Sequence, residues 1–104
     1  MQKLVRDLIP QIITKQGRIP VTRIMELEEY KKKLATKLIE EAHEFQEDKN
    51  IEELADIIEV FDAIVKAYGF TLEELQIVRA KKQLERGAFD KMIFLEAIEK
   101  VIYE

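Results

Sequence analysis

Between Glu40 and Asp62 the chain carries ten carboxylates and one cation, Lys49. The whole chain has a formal charge of −4, so the residues outside this stretch are net basic. The acids are also regularly placed. Glu41 and Glu44 are three residues apart, as are Glu53 and Asp56, so each pair shares a face if its segment is helical. The polar run Asp48-Lys49-Asn50 between them suits a tight turn. Folded there as an antiparallel hairpin, the chain sets Glu44 opposite Glu53 and Glu41 opposite Asp56. With Leu38 and Leu54 as the centres of the two apolar stripes, both acidic pairs trail their stripe in the same sense. Four carboxylates are therefore expected at one rim of a helix pair.

The rest of the sequence supports such a hairpin. Three Gly and two Pro in 104 residues, with 37% charged and 47% hydrophobic residues, favour helices joined by short connections. That length predicts one domain, 1–104, with one modest core. Cysteine is absent, which rules out thiolate metal ligands and disulfides. No apolar run approaches the roughly 20 residues of a membrane span, and the N-terminus lacks the apolar centre of a signal peptide. The expected location is cytoplasmic, with no membrane partner. Net acidity argues against nucleic acid as a partner.

Taken in order, Asp7 is positioned to cap a short helix from Leu8, with Pro10 in its first turn and Gly17 as its stop. Ile9, Ile12 and Ile13 form its apolar face. Arg18 to Met25 reads as extended, because Pro20 resists helix and Val21, Thr22 and Ile24 prefer β geometry. Glu26 to Glu47 is the clearest helix, with Leu27, Tyr30, Leu34, Leu38, Ala42 and Phe45 expected inward. Asn50 caps a second long helix, 51–68, with Leu54, Ile57, Ile58, Phe61, Val65 and Tyr68 inward, ended by Gly69. Thr71 to Glu74 matches a capping box opening a third long helix, closed by Gly87. A final element is expected from about Asp90, with Ile93, Phe94, Ile98, Val101 and Ile102 apolar.

Four carboxylates at a sheltered rim require cations, and all-oxygen donors select a hard dication, Mg²⁺ above all, with Mn²⁺ as a substitute. Mg²⁺ retains water and binds phosphates, which points to phosphoanhydride hydrolysis. The plainer alternative is a solvated acidic face, and Glu53, three residues after Asn50, has a competing role in a helix cap. Phosphate-binding candidates are Lys3 and Arg6 before the first helix, Lys37 one turn before Glu41, and Arg79, Lys82 and Arg86 at helical spacing. His43 falls on the opposite flank and reads as structural or surface. No nucleophile–base set or Gly-rich phosphate loop is present.

The segments EEAHE at 40–44 and ELAD at 53–56 resemble the EExxE…ExxD motif of MazG-type nucleotide pyrophosphohydrolases. These are all-α enzymes related to phosphoribosyl-ATP pyrophosphatase and dimeric dUTPases. KLVRDLIP at 3–10 and RAKKQLERGAFDKMIFLE at 79–96 resemble the ends of a short subgroup of that family. The resemblance implies that Glu41, Glu44, Glu53 and Asp56 bind metal and that Glu40 is a catalytic base or supports the ligands. It also implies that Arg6, Lys82 and Arg86 contact substrate phosphates. The interval between Glu44 and Glu53 is shorter than in the wider family, and a tighter turn reshapes the pocket.

The expected fold is an all-α antiparallel bundle of about four to five helices with one short extended segment near the N-terminus. The expected activity is Mg²⁺-dependent hydrolysis of a nucleoside triphosphate to monophosphate and pyrophosphate, with a house-cleaning role in the nucleotide pool. The alternatives are phosphoribosyl-ATP as substrate, or a non-catalytic helical oligomerisation module. A homodimer or homotetramer is expected, because amphipathic helices in so small a chain leave a face to bury.

Overall fold

The computed structural model describes residues 2–101. Its regular elements are four helices: α1 (Ile9–Lys15), α2 (Leu27–Asp48), α3 (Ile51–Ala67) and α4 (Leu72–Arg86). No strand occurs among the described residues, in agreement with the all-α expectation. The chain forms two compact units, Met1–Thr71 and Leu72–Glu104.

In the first unit α2 and α3 pack as the expected antiparallel hairpin. Their connection is only Lys49 and Asn50. Lys49 adopts a left-handed conformation (φ 51°) and donates its N–H to the Phe45 carbonyl, which ends α2. Asn50 is extended, and its side chain accepts the Glu53 N–H at 3.1 Å, which starts α3. So short a turn leaves little freedom in register, and the register decides which carboxylates meet. Gly69 follows α3 with φ 73°, a conformation that costs other residues more than glycine.

Leu34, Val60 and Val65 are buried between the helices, flanked by the half-buried Tyr30, Leu38, Phe45, Ile57 and Ile64. The inner face of α3 differs from the expected one. Leu54, Ile58, Phe61 and Tyr68 lie open to solvent, at 44%, 60%, 38% and 45% exposure, and Val60 takes the central place. The physical reason is that α3 is apolar over most of its circumference, so periodicity defines two competing stripes. Packing on α2 selects the stripe that contains Ile57, Val60 and Ile64. On α2, Leu27 and Ala42 are likewise exposed. Beside the hairpin, Ala35, Leu38, Ile39, Ile64, Tyr68 and Phe70 line an apolar groove of about 430 Å³.

Helix α1 begins one residue later than expected. Its N-cap is Leu8, with no side-chain cap, so Asp7 does not serve as one. Pro10 lies in the first turn as anticipated, and Gly17 (φ 82°) follows the helix. The segment 18–26 has no regular structure and is held to the start of α2 by Arg23, whose two terminal nitrogens each donate to a Glu29 carboxylate oxygen at 2.7 Å.

The second unit contains α4 and the segment after it. Gly87 (φ 81°) follows the helix as expected. The expected final element does not form among the described residues: after a turn at Phe89–Met92, residues 93–101 have no regular structure. Ile93, Phe94, Ile98 and Val101 are exposed, so the apolar burial that would stabilise an amphipathic helix is not made here. Ile102 lies outside the described residues. No helix among the described residues is long and apolar enough to cross a membrane.

Candidate metal centre

The hairpin turn brings acids of α2 and α3 together at one rim. Glu41, Glu53 and Asp56 each offer a carboxylate oxygen within 4.8 Å of the other two. A second group, Glu44, Asp48 and Glu53, meets the same limit. The four expected carboxylates, joined by Asp48, thus gather as two overlapping trios that share Glu53. Asp48 is an addition that motif and spacing passed over. It is the last residue of α2, one turn beyond Glu44, and reads in sequence as part of the turn.

The donor set fits a hard dication. Oxygens around an octahedral ion at about 2.1 Å stand about 3 to 4 Å apart, close to the spacing of carboxylate oxygens within 4.8 Å of one another. Glu41 is buried (8% exposed), whereas Glu53 and Asp56 are half-buried and Glu44 and Asp48 exposed. The trio containing Glu41 is the more sheltered. Partial withdrawal from water, followed by the neighbouring charges of Asp56, Asp48, Glu44 and Glu41, holds the Glu53 carboxyl above its ordinary range. Asn50 caps the backbone N–H of Glu53, which leaves the carboxylate of Glu53 turned to the cluster.

Cations surround the rim. Lys37 Nζ lies 3.4 Å from both Glu40 and Glu41, on the same flank of α2. Arg6 Nη2 donates to Asp56 Oδ1, with Nη1 4.0 Å from Glu59. Lys3 Nζ lies 4.0 Å from Glu40. Arg6 and Lys37, expected at substrate phosphates, thus stand beside the acidic trio. Glu40 is half-buried and belongs to neither trio. Lys82 and Arg86 stand on exposed turns of α4, in the second unit. His43 is exposed, as expected for a surface residue.

No known family, curated protein or solved structure matches the chain.

Proposed function

We propose that the chain is a divalent-metal-dependent pyrophosphohydrolase that splits a nucleoside triphosphate into monophosphate and pyrophosphate. One observation carries this reading: the oxygens of Glu41, Glu53 and Asp56, drawn from two helices, lie within 4.8 Å of one another. The resemblance to MazG-type enzymes assigns the same residues, with Glu44, to metal binding. Glu41, Glu44, Glu53 and Asp56 would hold Mg²⁺ or Mn²⁺. When bound, such an ion neutralises phosphate charge and acidifies a coordinated water.

The remaining roles belong to side chains around the trio. Glu40, adjacent in sequence to Glu41, is the proposed proton acceptor for the attacking water. Its carboxylate is oriented by Lys37 and Lys3. Lys37 and Arg6, already beside the acids, are the proposed contacts to phosphate oxygens, and the resemblance to MazG-type enzymes implies the same role for Lys82 and Arg86. Phosphoribosyl-ATP is the alternative substrate.

Homo-oligomerisation, as a dimer or tetramer, accompanies this reading. Its support is the apolar surface left open on α3 by Leu54, Ile58 and Phe61, and the groove beside Tyr68. A cytoplasmic location with no nucleic-acid partner is part of the same proposal.

The test is pyrophosphate release from a panel of standard, deoxy and damaged nucleotides and phosphoribosyl-ATP, with and without Mg²⁺. Metal-dependent release from one class supports the enzyme. No release from any of them, by a folded oligomer, favours a non-catalytic oligomerisation module.

A further inference from the structure

The residues before α1 form an arm that crosses the acidic rim. Lys3 reaches Glu40 of α2, and three residues later Arg6 reaches Asp56 and Glu59 of α3. The arm therefore spans both helices of the hairpin, with ion pairs at Lys3 and Arg6 on either side of the half-buried Leu4 and Val5. Its two cations differ from Lys37 in how they are held. Lys37 is anchored on α2 within a turn of the carboxylates it meets, and its side chain is only 16% exposed. Arg6 sits on an irregular segment, and its side chain is 54% exposed. Lys37 is a fixed countercharge, whereas the Arg6 side chain can leave Asp56 while its carbonyl keeps the Ile9 N–H at the start of α1.

Asp56 is the point of conflict. It is a member of the sheltered trio and at the same time the acceptor of the Arg6 guanidinium. A guanidinium hydrogen-bonded to one oxygen of this carboxylate withdraws electron density from the other. It also places a positive charge next to the point where a dication would be held. Resting on the metal-binding reading of Glu41, Glu53 and Asp56, we propose that the N-terminal arm is an electrostatic strap. In this device Arg6 competes with the divalent ion for Asp56 and is released when the ion binds. Release leaves a guanidinium at the rim of the site, free to take a phosphate oxygen. The strap thus couples metal entry to the appearance of an anion-binding group.

The test uses the full chain and the metal alone. Mg²⁺ and Mn²⁺ are titrated calorimetrically into the wild type, Arg6→Gln and, as a charge-matched control on α1, Lys15→Gln. The strap requires Arg6→Gln to bind either ion about five-fold more tightly, the scale of one lost exposed ion pair, with the control within two-fold of wild type. In the unmodified chain, the Arg6 Nε–H resonance should shift on adding Mg²⁺, a readout that depends on no variant. Equal or weaker binding by Arg6→Gln overturns the strap, since Arg6 would then be neutral to the ligands or would support them. A metal-saturated wild type with an unmoved Arg6 resonance overturns it as well. Absence of binding by all three proteins instead removes the metal-binding reading, and the strap with it.

Discussion

Lys37 Nζ stands 3.4 Å from a Glu41 carboxylate oxygen one helical turn away, and both side chains are largely withdrawn from water. Glu41 is the single buried charged residue among those described, so Lys37 is its main compensation at the rim. Removing the ammonium leaves a buried carboxylate facing further acids. Lys37→Met should therefore destabilise the metal-free chain by about 1–3 kcal/mol, read from urea unfolding. Adding Glu41→Gln should recover most of that loss. A Lys37→Met chain as stable as wild type would show that the pair carries no net stabilisation.

Glu44→Gln and Glu47→Gln separate a site effect from a charge effect. Both remove one carboxylate from α2, but Glu44 belongs to an oxygen cluster with Asp48 and Glu53, and Glu47 to neither trio. Pyrophosphate release should drop about 100-fold at position 44, since a lost ligand misplaces the reacting groups. At position 47 the change should stay within a few-fold. Equal rates from the two variants at saturating Mg²⁺ would remove Glu44 from the site.

Glu53 sets a pH dependence whose sign can be worked out. Its folded-state pKa is raised, first by burial and then by Asp56, Asp48, Glu44 and Glu41. The folded chain thus holds the proton more tightly than the unfolded one. The associated stability is present below the unfolded carboxyl pKa and is lost as pH rises through the folded value. Unfolding of the metal-free chain should accordingly show a loss of stability on going from mildly acidic to neutral pH. Glu53→Gln should flatten that loss and be at least as stable as wild type at neutral pH. A steeper profile in the variant would contradict the repulsion.

Mg²⁺ should stabilise the native chain, because unfolding separates the acids of α2 from those of α3. At a concentration 100-fold above its dissociation constant, the gain is about 2.7 kcal/mol. Thermal unfolding in chelator and in excess Mg²⁺ measures it directly. Coincident curves would argue for the oligomerisation module over the enzyme.

Arg86→Ala should lower kcat/KM for the nucleotide without lowering stability by more than about 1 kcal/mol. Arg86 is exposed in the last turn of α4, where it contributes only about 0.3–1 kcal/mol through the helix dipole. Unchanged kinetics in the folded variant would exclude it as a phosphate contact.

The hairpin is legible in the sequence because local features agree: periodicity over α2 and α3, a polar turn, and Asn50 as a cap. The acidic spacing also located Glu41, Glu44, Glu53 and Asp56 at a common rim, since a two-residue turn couples register directly to sequence number. Other features were beyond the reach of local pattern. Which stripe of α3 faces α2 was decided by packing, because Leu54 and Ile58 are as apolar as the Ile57 and Val60 that were chosen. The same holds for the tail, whose described apolar residues are exposed and form no regular element, because a helix there depends on burial that local pattern does not record.

The division of the acids into two trios also came from tertiary structure, since Asp48 joins Glu44 only when the helix end and Glu53 are fixed in space. So did the Arg6–Asp56 pair, fifty residues apart in sequence. Spacing along a helix determines which side chains share a face. Contact between an irregular arm and a helix depends on how the whole unit closes, and no repeat in the sequence records it.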